Sequence, residues 1–173
     1  IIDNAYGMPF PNIIYSDVTL NWHENIILCF SLSKVGLPGV RTGIIVAAPE
    51  VVKAVSSLNA IVNLSPTRFG AAIVTPLLQD GRLKQLSDDV IRPFYRNQAQ
   101  TAVSLLKREL GAYPLKIHKP EGAIFLWLWF ENLPVSSQTL YEMLKAEGTL
   151  IIPGEHFFVG IDTQDYQIGR AHV

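Results

Sequence analysis

Ser31-Leu32-Ser33-Lys34-Val35-Gly36-Leu37-Pro38-Gly39-Val40-Arg41-Thr42-Gly43 is the stretch that organises the chain. An apolar run at residues 26–30 precedes it and another at 44–48 follows it. A lysine, two serines and an arginine therefore fall in a turn-rich connection between two buried strands. Glycine accepts positive φ and proline presets a turn, so Gly36, Pro38, Gly39 and Gly43 let the backbone bend sharply and approach a ligand.

Ser31, Ser33 and Arg41 supply hydroxyl donors and a guanidinium fork, which suit a phosphate. Lys34 is different: a lysine wedged between apolar strands loses hydration, tends to lose its proton and becomes a nucleophile able to form a Schiff base. A lysine beside a phosphate cradle suggests pyridoxal phosphate. On the residues alone a plainer reading stands equally open, in which Lys34 snorkels from a strand end and the glycines only turn a loop.

As written, Ser-Leu-Ser-Lys followed by Gly-Leu-Pro-Gly-Val-Arg-Thr-Gly resembles the cofactor-lysine signature of the class I/II pyridoxal-phosphate-dependent aminotransferases of fold type I. A second match is Asp3-Asn4-Ala5-Tyr6-Gly7, similar to the family's Asp-x-x-Tyr element at a strand end. The resemblance implies that Asp3 pairs with the pyridine nitrogen and that Tyr6 bonds the ring's phenolic oxygen. It likewise assigns the Schiff base to Lys34 and the phosphate to Ser31, Ser33 and Arg41. Taken alone, Asp3 also reads as an acid that turns the chain at a strand end.

The likeness continues through residues 2–11, through Lys119-Pro120-Glu121-Gly122-Ala123 and the aromatic run after it, and through Ile152-Pro153-Gly154-Glu155-His156-Phe157-Phe158. It points to the branch acting on small aliphatic amino acids. The resemblance implies transamination between valine or alanine and a 2-oxo acid, pyruvate or 3-methyl-2-oxobutanoate, by a homodimer when the protein is full length. Two other classes share the scaffold: lyases and decarboxylases, and the ligand-sensing domain of a transcription regulator.

Composition suits such an enzyme. With 49% hydrophobic and 17% charged residues, the 173-residue chain has ample material for a core. A net charge of −1, without a long basic run, argues against nucleic acid as partner. No apolar stretch reaches the roughly 18 residues of a membrane span. Cys29, the single cysteine, cannot form an internal disulfide and reads as a small core residue, which together with the lack of a signal peptide makes the cytoplasm the expected compartment. The four histidines, His23, His118, His156 and His172, lack the spacing of a metal site.

The expected fold is α/β: the C-terminal part of a fold-type I large domain, with a helix-covered and mostly parallel sheet, over residues 1–100, then a small α+β domain over 101–173. Strands are expected at 1–5, 26–30 and 44–47, the last apolar on both faces as in a sheet covered by helices. Helices are expected from Pro49 to about residue 63, from Pro66 with Ser65 as cap to Asp80-Gly81 with a kink at Pro76, and over 82–110 with an interruption near Pro93 and Gly111 as stop. Strands at 115–118, 123–130 and 150–152 and a helix at 139–146, capped by Ser136 or Ser137, complete the pattern. Trp127 and Trp129 share one strand face, expected to line the core or a substrate pocket.

Family members carry a Gly-rich phosphate loop, a ring-stacking aromatic and an Asn ahead of the point where this sequence starts. The chain is therefore expected to be a C-terminal portion that is inactive by itself. Its last residues, 167–173, are expected to be partly foreign: Gly169, Ala171 and His172 are poor strand formers, and Ile-Gly-Arg-Ala-His-Val reads as one frame of a sequencing adapter. The family's carboxylate-binding arginine would fall close to Arg170.

Overall fold

Leu28 and Phe30 alternate with Cys29 and Ser31, and this period-two pattern forms a strand, β2 (Leu28–Ser31), whose Leu28 and Phe30 are buried. β2 is the middle strand of a three-stranded sheet. β1 (Ile2–Asp3) runs parallel to it, with Asp3 opposite Cys29, and β3 (Gly43–Val46) runs antiparallel, with Gly43 opposite Ser31. The computed structural model describes residues 1–64, 66–158 and, for the backbone, 168–172. It comprises two compact units, Ile1–Phe94 and Tyr95–Val173.

In the first unit Phe10, Leu28, Phe30, Leu32, Val35, Val74 and Leu83 form one core. α2 (Phe69–Gln79) and α3 (Arg82–Leu86) supply Val74 and Leu83 to it, and α1 (Pro49–Val62) precedes them in the chain. Pro49 opens α1 as its sequence demands, since the missing N–H is one the first turn leaves unbonded anyway. No residue of α1 is buried, however, and Val52, Val55, Leu58, Ile61 and Val62 stand exposed. β3 also departs from expectation: Ile45 and Val46, which point to opposite faces, are each 41% exposed, so the described residues leave both faces of β3 partly uncovered.

α2 starts at Phe69, not at Pro66. Thr67 Oγ1 accepts the Phe69 N–H at 3.3 Å, a local bond that competes with helix further upstream. Ser65, the expected cap, lies outside the described residues. Pro76 stands inside α2, and Gly81 follows at φ 77°, a left-handed turn that suits glycine. After α3 the backbone widens into a π-turn, Ser87–Ile91, before α4 (Arg92–Leu110). The expected interruption thus comes just ahead of Pro93, which has no N–H for the residue 89 carbonyl and crowds it. α4 stops at Gly111, where a Cβ would sit 2.5 Å from the Lys107 carbonyl oxygen.

The second unit is built on an antiparallel sheet of β4 (Leu115–Ile117), β5 (Phe125–Phe130), β6 (Ile151–Pro153) and β7 (Ile168–His172), in the order β4-β5-β7-β6. Leu126 and Leu128 pack with Ala99 in its core. Trp127 and Trp129 take the opposite face, so they are not core residues. The Trp127 ring meets Phe157 edge-on at 5.3 Å, and Lys116 Nζ lies 4.7 Å from the centre of the Trp129 ring. α5 (Ser137–Ala146) is capped by Ser136, whose Oγ accepts the Thr139 N–H at 3.1 Å. Residues 168–172, which include the poor strand formers Gly169, Ala171 and His172, form an inner strand because β5 and β6 pair with it on both sides. Arg170 stands opposite Trp127 and Ile152 in register. Its side chain, like residues 167 and 173 of the tail, lies outside the described residues.

Candidate active site

Four residues after β2 explain how Lys34 is presented. Leu32–Val35 is a turn of 3₁₀ helix, and at three residues per turn the buried Leu32 and Val35 share one side, which directs Ser33 and Lys34 away from the core. Ser31 starts this turn by accepting the Ser33 N–H at 3.2 Å on its Oγ. Gly36 ends it at φ 92° with its N–H on the Leu32 carbonyl. Lys34 is therefore held by a turn, not wedged between strands, and it is half-buried.

Of the four residues that permit the bends, Gly36 alone has positive φ, while a Cβ on Gly39 would meet nothing within 4 Å. A second 3₁₀ turn, Pro38–Val40, leads to Arg41 in the left-handed region at φ 46°. Arg41 NH1 donates to Ser33 Oγ at 3.3 Å and to the Pro38 carbonyl at 3.4 Å. Guanidinium and hydroxyl thus occupy one small volume at the surface. Arg41 also lines an open cleft of about 940 Å³ together with Asn59, Asn63, Thr67 and Arg68.

Asp3 ends β1 and Ser31 ends β2, so both lie at the carboxyl edge of the parallel pair, where α/β sheets offer ligands a crevice. Asp3 Oδ1 accepts the Ala5 N–H at 3.1 Å, the turn-forming role that its position alone suggests. That turn leads to Tyr6, and the centre of the Tyr6 ring lies 5.8 Å from Lys34 Nζ. Two motifs far apart in sequence therefore meet at one sheet edge.

Further residues support these two turns. Phe10, Pro11 and Ile13 anchor the loop after Tyr6 in the core, with the Phe10 and Phe30 rings 5.4 Å apart. Asn12, Asp88 and Arg92 tie the same loop to the π-turn through hydrogen bonds of 2.6 and 2.8 Å. Asp88 is held below the usual carboxylate range, first by its hydrogen bond from Lys84 and then by that from Asn12, against the opposing effect of burial. Gly70 lets α2 close on Thr42, whose Oγ1 a Cβ would meet at 2.1 Å. Phe10 and Pro11 fall in the residue 2–11 stretch that carries the likeness; of the others only Asn12 gives a hint, as a residue type that tolerates left-handed backbone.

The fold is that of the fold-type I aminotransferases, and the chain belongs to the aminotransferase class I and II family, whose profile matches residues 1–171. It is 48% identical over 162 residues to the valine–pyruvate aminotransferase of Escherichia coli K12, covering 94% of this chain and 39% of that protein. The crystal structure of a valine–pyruvate aminotransferase from Salmonella typhimurium LT2 superposes with a TM-score of 0.89 at 46% identity, over 98% of this chain and 45% of that one. A protein from Psychrobacter arcticum 273-4 superposes at 0.92 with 67% identity, over 98% and 40%. The chain thus spans less than half the length of these relatives.

Proposed function

We propose that the full-length protein transfers an amino group between valine or alanine and a 2-oxo acid, pyruvate or 3-methyl-2-oxobutanoate, with pyridoxal phosphate bound at Lys34. The observation that carries this reading is the meeting of Lys34 and Tyr6, 5.8 Å from Nζ to ring centre, at the strand edge that also holds Asp3. The similarity to valine–pyruvate aminotransferases supports the choice of substrates.

The residues present fit the cofactor. A guanidinium and a hydroxyl 3.3 Å apart, Arg41 and Ser33, suit a phosphate, and the Ser31 hydroxyl, which uses a lone pair for its cap, keeps its proton to donate. Pyridoxal phosphate, when bound, supplies an electron sink for the pair released as the substrate Cα–H bond breaks. With the cofactor bound, Lys34 Nζ would hold it covalently at rest and, once exchanged for the substrate amine and so freed, would carry the proton taken from the substrate Cα. Asp3 keeps a proton on the ring nitrogen. Tyr6 donates its hydroxyl proton to the phenolic oxygen and orients the ring, while Ser31, Ser33 and Arg41 bind the phosphate.

The same reading includes a homodimer, supported by the exposed apolar face of α1, which further protein would cover, and places the enzyme in the cytoplasm. Purified full-length protein should convert valine and pyruvate into alanine and 3-methyl-2-oxobutanoate, and Lys34→Ala should not. Release of carbon dioxide or ammonia without amino exchange would instead assign the protein to the decarboxylases or lyases of this fold.

A further inference from the structure

The loop that carries Tyr6 is closed and bolted from one point. The Ile13 N–H donates to the Tyr6 carbonyl at 2.9 Å and the Asn12 N–H to the Gly7 carbonyl at 3.0 Å, so residues 6–13 form a ring of backbone. Asn12 sits in the left-handed region at φ 55°, a conformation that must be held. Its side chain donates through Nδ2 to Asp88 Oδ1 at 2.6 Å and accepts at Oδ1 from Arg92 NH1 at 2.8 Å. The same NH1 reaches the Asn12 carbonyl at 3.2 Å, and NH2 reaches the Tyr15 carbonyl at 3.5 Å. Asp88 is braced in turn by Lys84, one helical turn earlier.

We infer that Asn12, clamped by Arg92 and Asp88, is a positioning residue that fixes the Tyr6 hydroxyl relative to Lys34. The inference rests on the proposed role of Tyr6 toward the cofactor. The path is short: Arg92 and Asp88 fix the Asn12 side chain, Asn12 and Ile13 fix the Tyr6 and Gly7 carbonyls, and the Tyr6 ring faces Lys34 Nζ. Asp88 lies in the π-turn and Arg92 directly follows it, four residues on, so both reach the same loop.

With pyridoxal phosphate bound, a Tyr6 hydroxyl donating to the ring's phenolic oxygen would compete for that oxygen and would lower the pH at which the bound cofactor loses its proton. The pH midpoint of the cofactor absorbance therefore reports where the hydroxyl is, independently of turnover. In the full-length protein loaded with pyridoxal phosphate, Arg92→Ala should raise that midpoint in the same direction as Tyr6→Phe, by about one pH unit, the worth of one hydrogen bond. The double variant should go no further than Tyr6→Phe alone, since both changes remove the same contact. Asn12→Gly, which keeps the left-handed backbone and deletes only the clamped side chain, should repeat the Arg92→Ala shift and covers the case in which Arg92→Ala fails to fold.

In the cofactor-free protein, a ring-¹³C tyrosine signal assigned to position 6 should move in Asn12→Gly and not in Ser136→Ala, a cap in the other unit. A wild-type midpoint in both clamp variants, or additive shifts in the double variant, would overturn the inference. A wild-type protein with no pH-dependent cofactor band, or a Tyr6→Phe variant with an unchanged midpoint, would contradict the proposed role of Tyr6 itself, and the ¹³C signal would then still decide whether Asn12 positions the ring.

Discussion

Lys34 Nζ stands 5.8 Å from the centre of the Tyr6 ring, and neither residue belongs to a strand. Lys34 is presented by a 3₁₀ turn whose buried Leu32 and Val35 serve as its anchors, and Tyr6 by a loop anchored through Phe10, Pro11 and Ile13. The placement of Lys34 and Tyr6 thus depends on two small hydrophobic footings.

Leu32 is fully buried under the lysine turn. Leu32→Ala should cost about 2–5 kcal/mol of stability, the range for emptying a packed core site. Urea unfolding of the full-length protein measures this, and because the footing of Lys34 is loosened, cofactor affinity should fall with it. A loss below about 1 kcal/mol would mean that the turn is held from elsewhere.

Asp3→Asn in the full-length protein should leave the cofactor bound while turnover drops roughly 100-fold, because an amide cannot keep the ring nitrogen protonated and a charged hydrogen bond is worth about 2–3 kcal/mol. Single-turnover kinetics with valine separates this from binding. Loss of the cofactor altogether would make Asp3 a binding residue first.

Arg41→Ala removes a guanidinium that lies within 3.3 Å of Ser33 Oγ. The dissociation constant for pyridoxal phosphate should rise about 10- to 100-fold, the worth of one charge-assisted hydrogen bond, while kcat at saturating cofactor changes much less. Fluorescence titration of the cofactor-free protein gives the constant directly.

Asp88 titrates lower in the folded protein than its ordinary value of 3.8, first because Lys84 hydrogen-bonds it. A depressed folded pKa contributes stability that is fully present above the unfolded value and is lost as pH falls through the folded one. Stability should therefore decline below about pH 4, and Asp88→Asn should flatten that decline. An acid limb of the same slope in both proteins would show that Asp88 is not among the groups responsible.

The sequence makes α1 and its Pro49 start, the break ahead of Pro93, the stop at Gly111 and the Ser136 cap legible, because each rests on a local rule about a proline, a glycine or a cap. It does not reveal that Leu126 and Leu128, not the tryptophans, face the core, since alternation defines two faces without saying which is inside. The inner strand Ile168–His172 is hidden for a related reason: pairing on both sides overrides weak propensity. Asp3, Tyr6, Ser31, Ser33, Lys34 and Arg41 can be picked out by motif, and the Lys34–Tyr6 contact adds a meeting of two of them in space. The clamp of Asn12 by Asp88 and Arg92 has no motif, because it joins residues on opposite sides of the first unit's sequence through tertiary contacts.

The central claim, that Lys34 is the covalent anchor of the cofactor, is tested most directly by borohydride reduction of the full-length protein loaded with pyridoxal phosphate, followed by peptide mapping. The account predicts the reduced pyridoxyl adduct on the peptide containing Lys34, and none at that position in Lys34→Ala. An adduct fixed on another lysine in the wild-type protein, with the Lys34 peptide unlabelled, would contradict it.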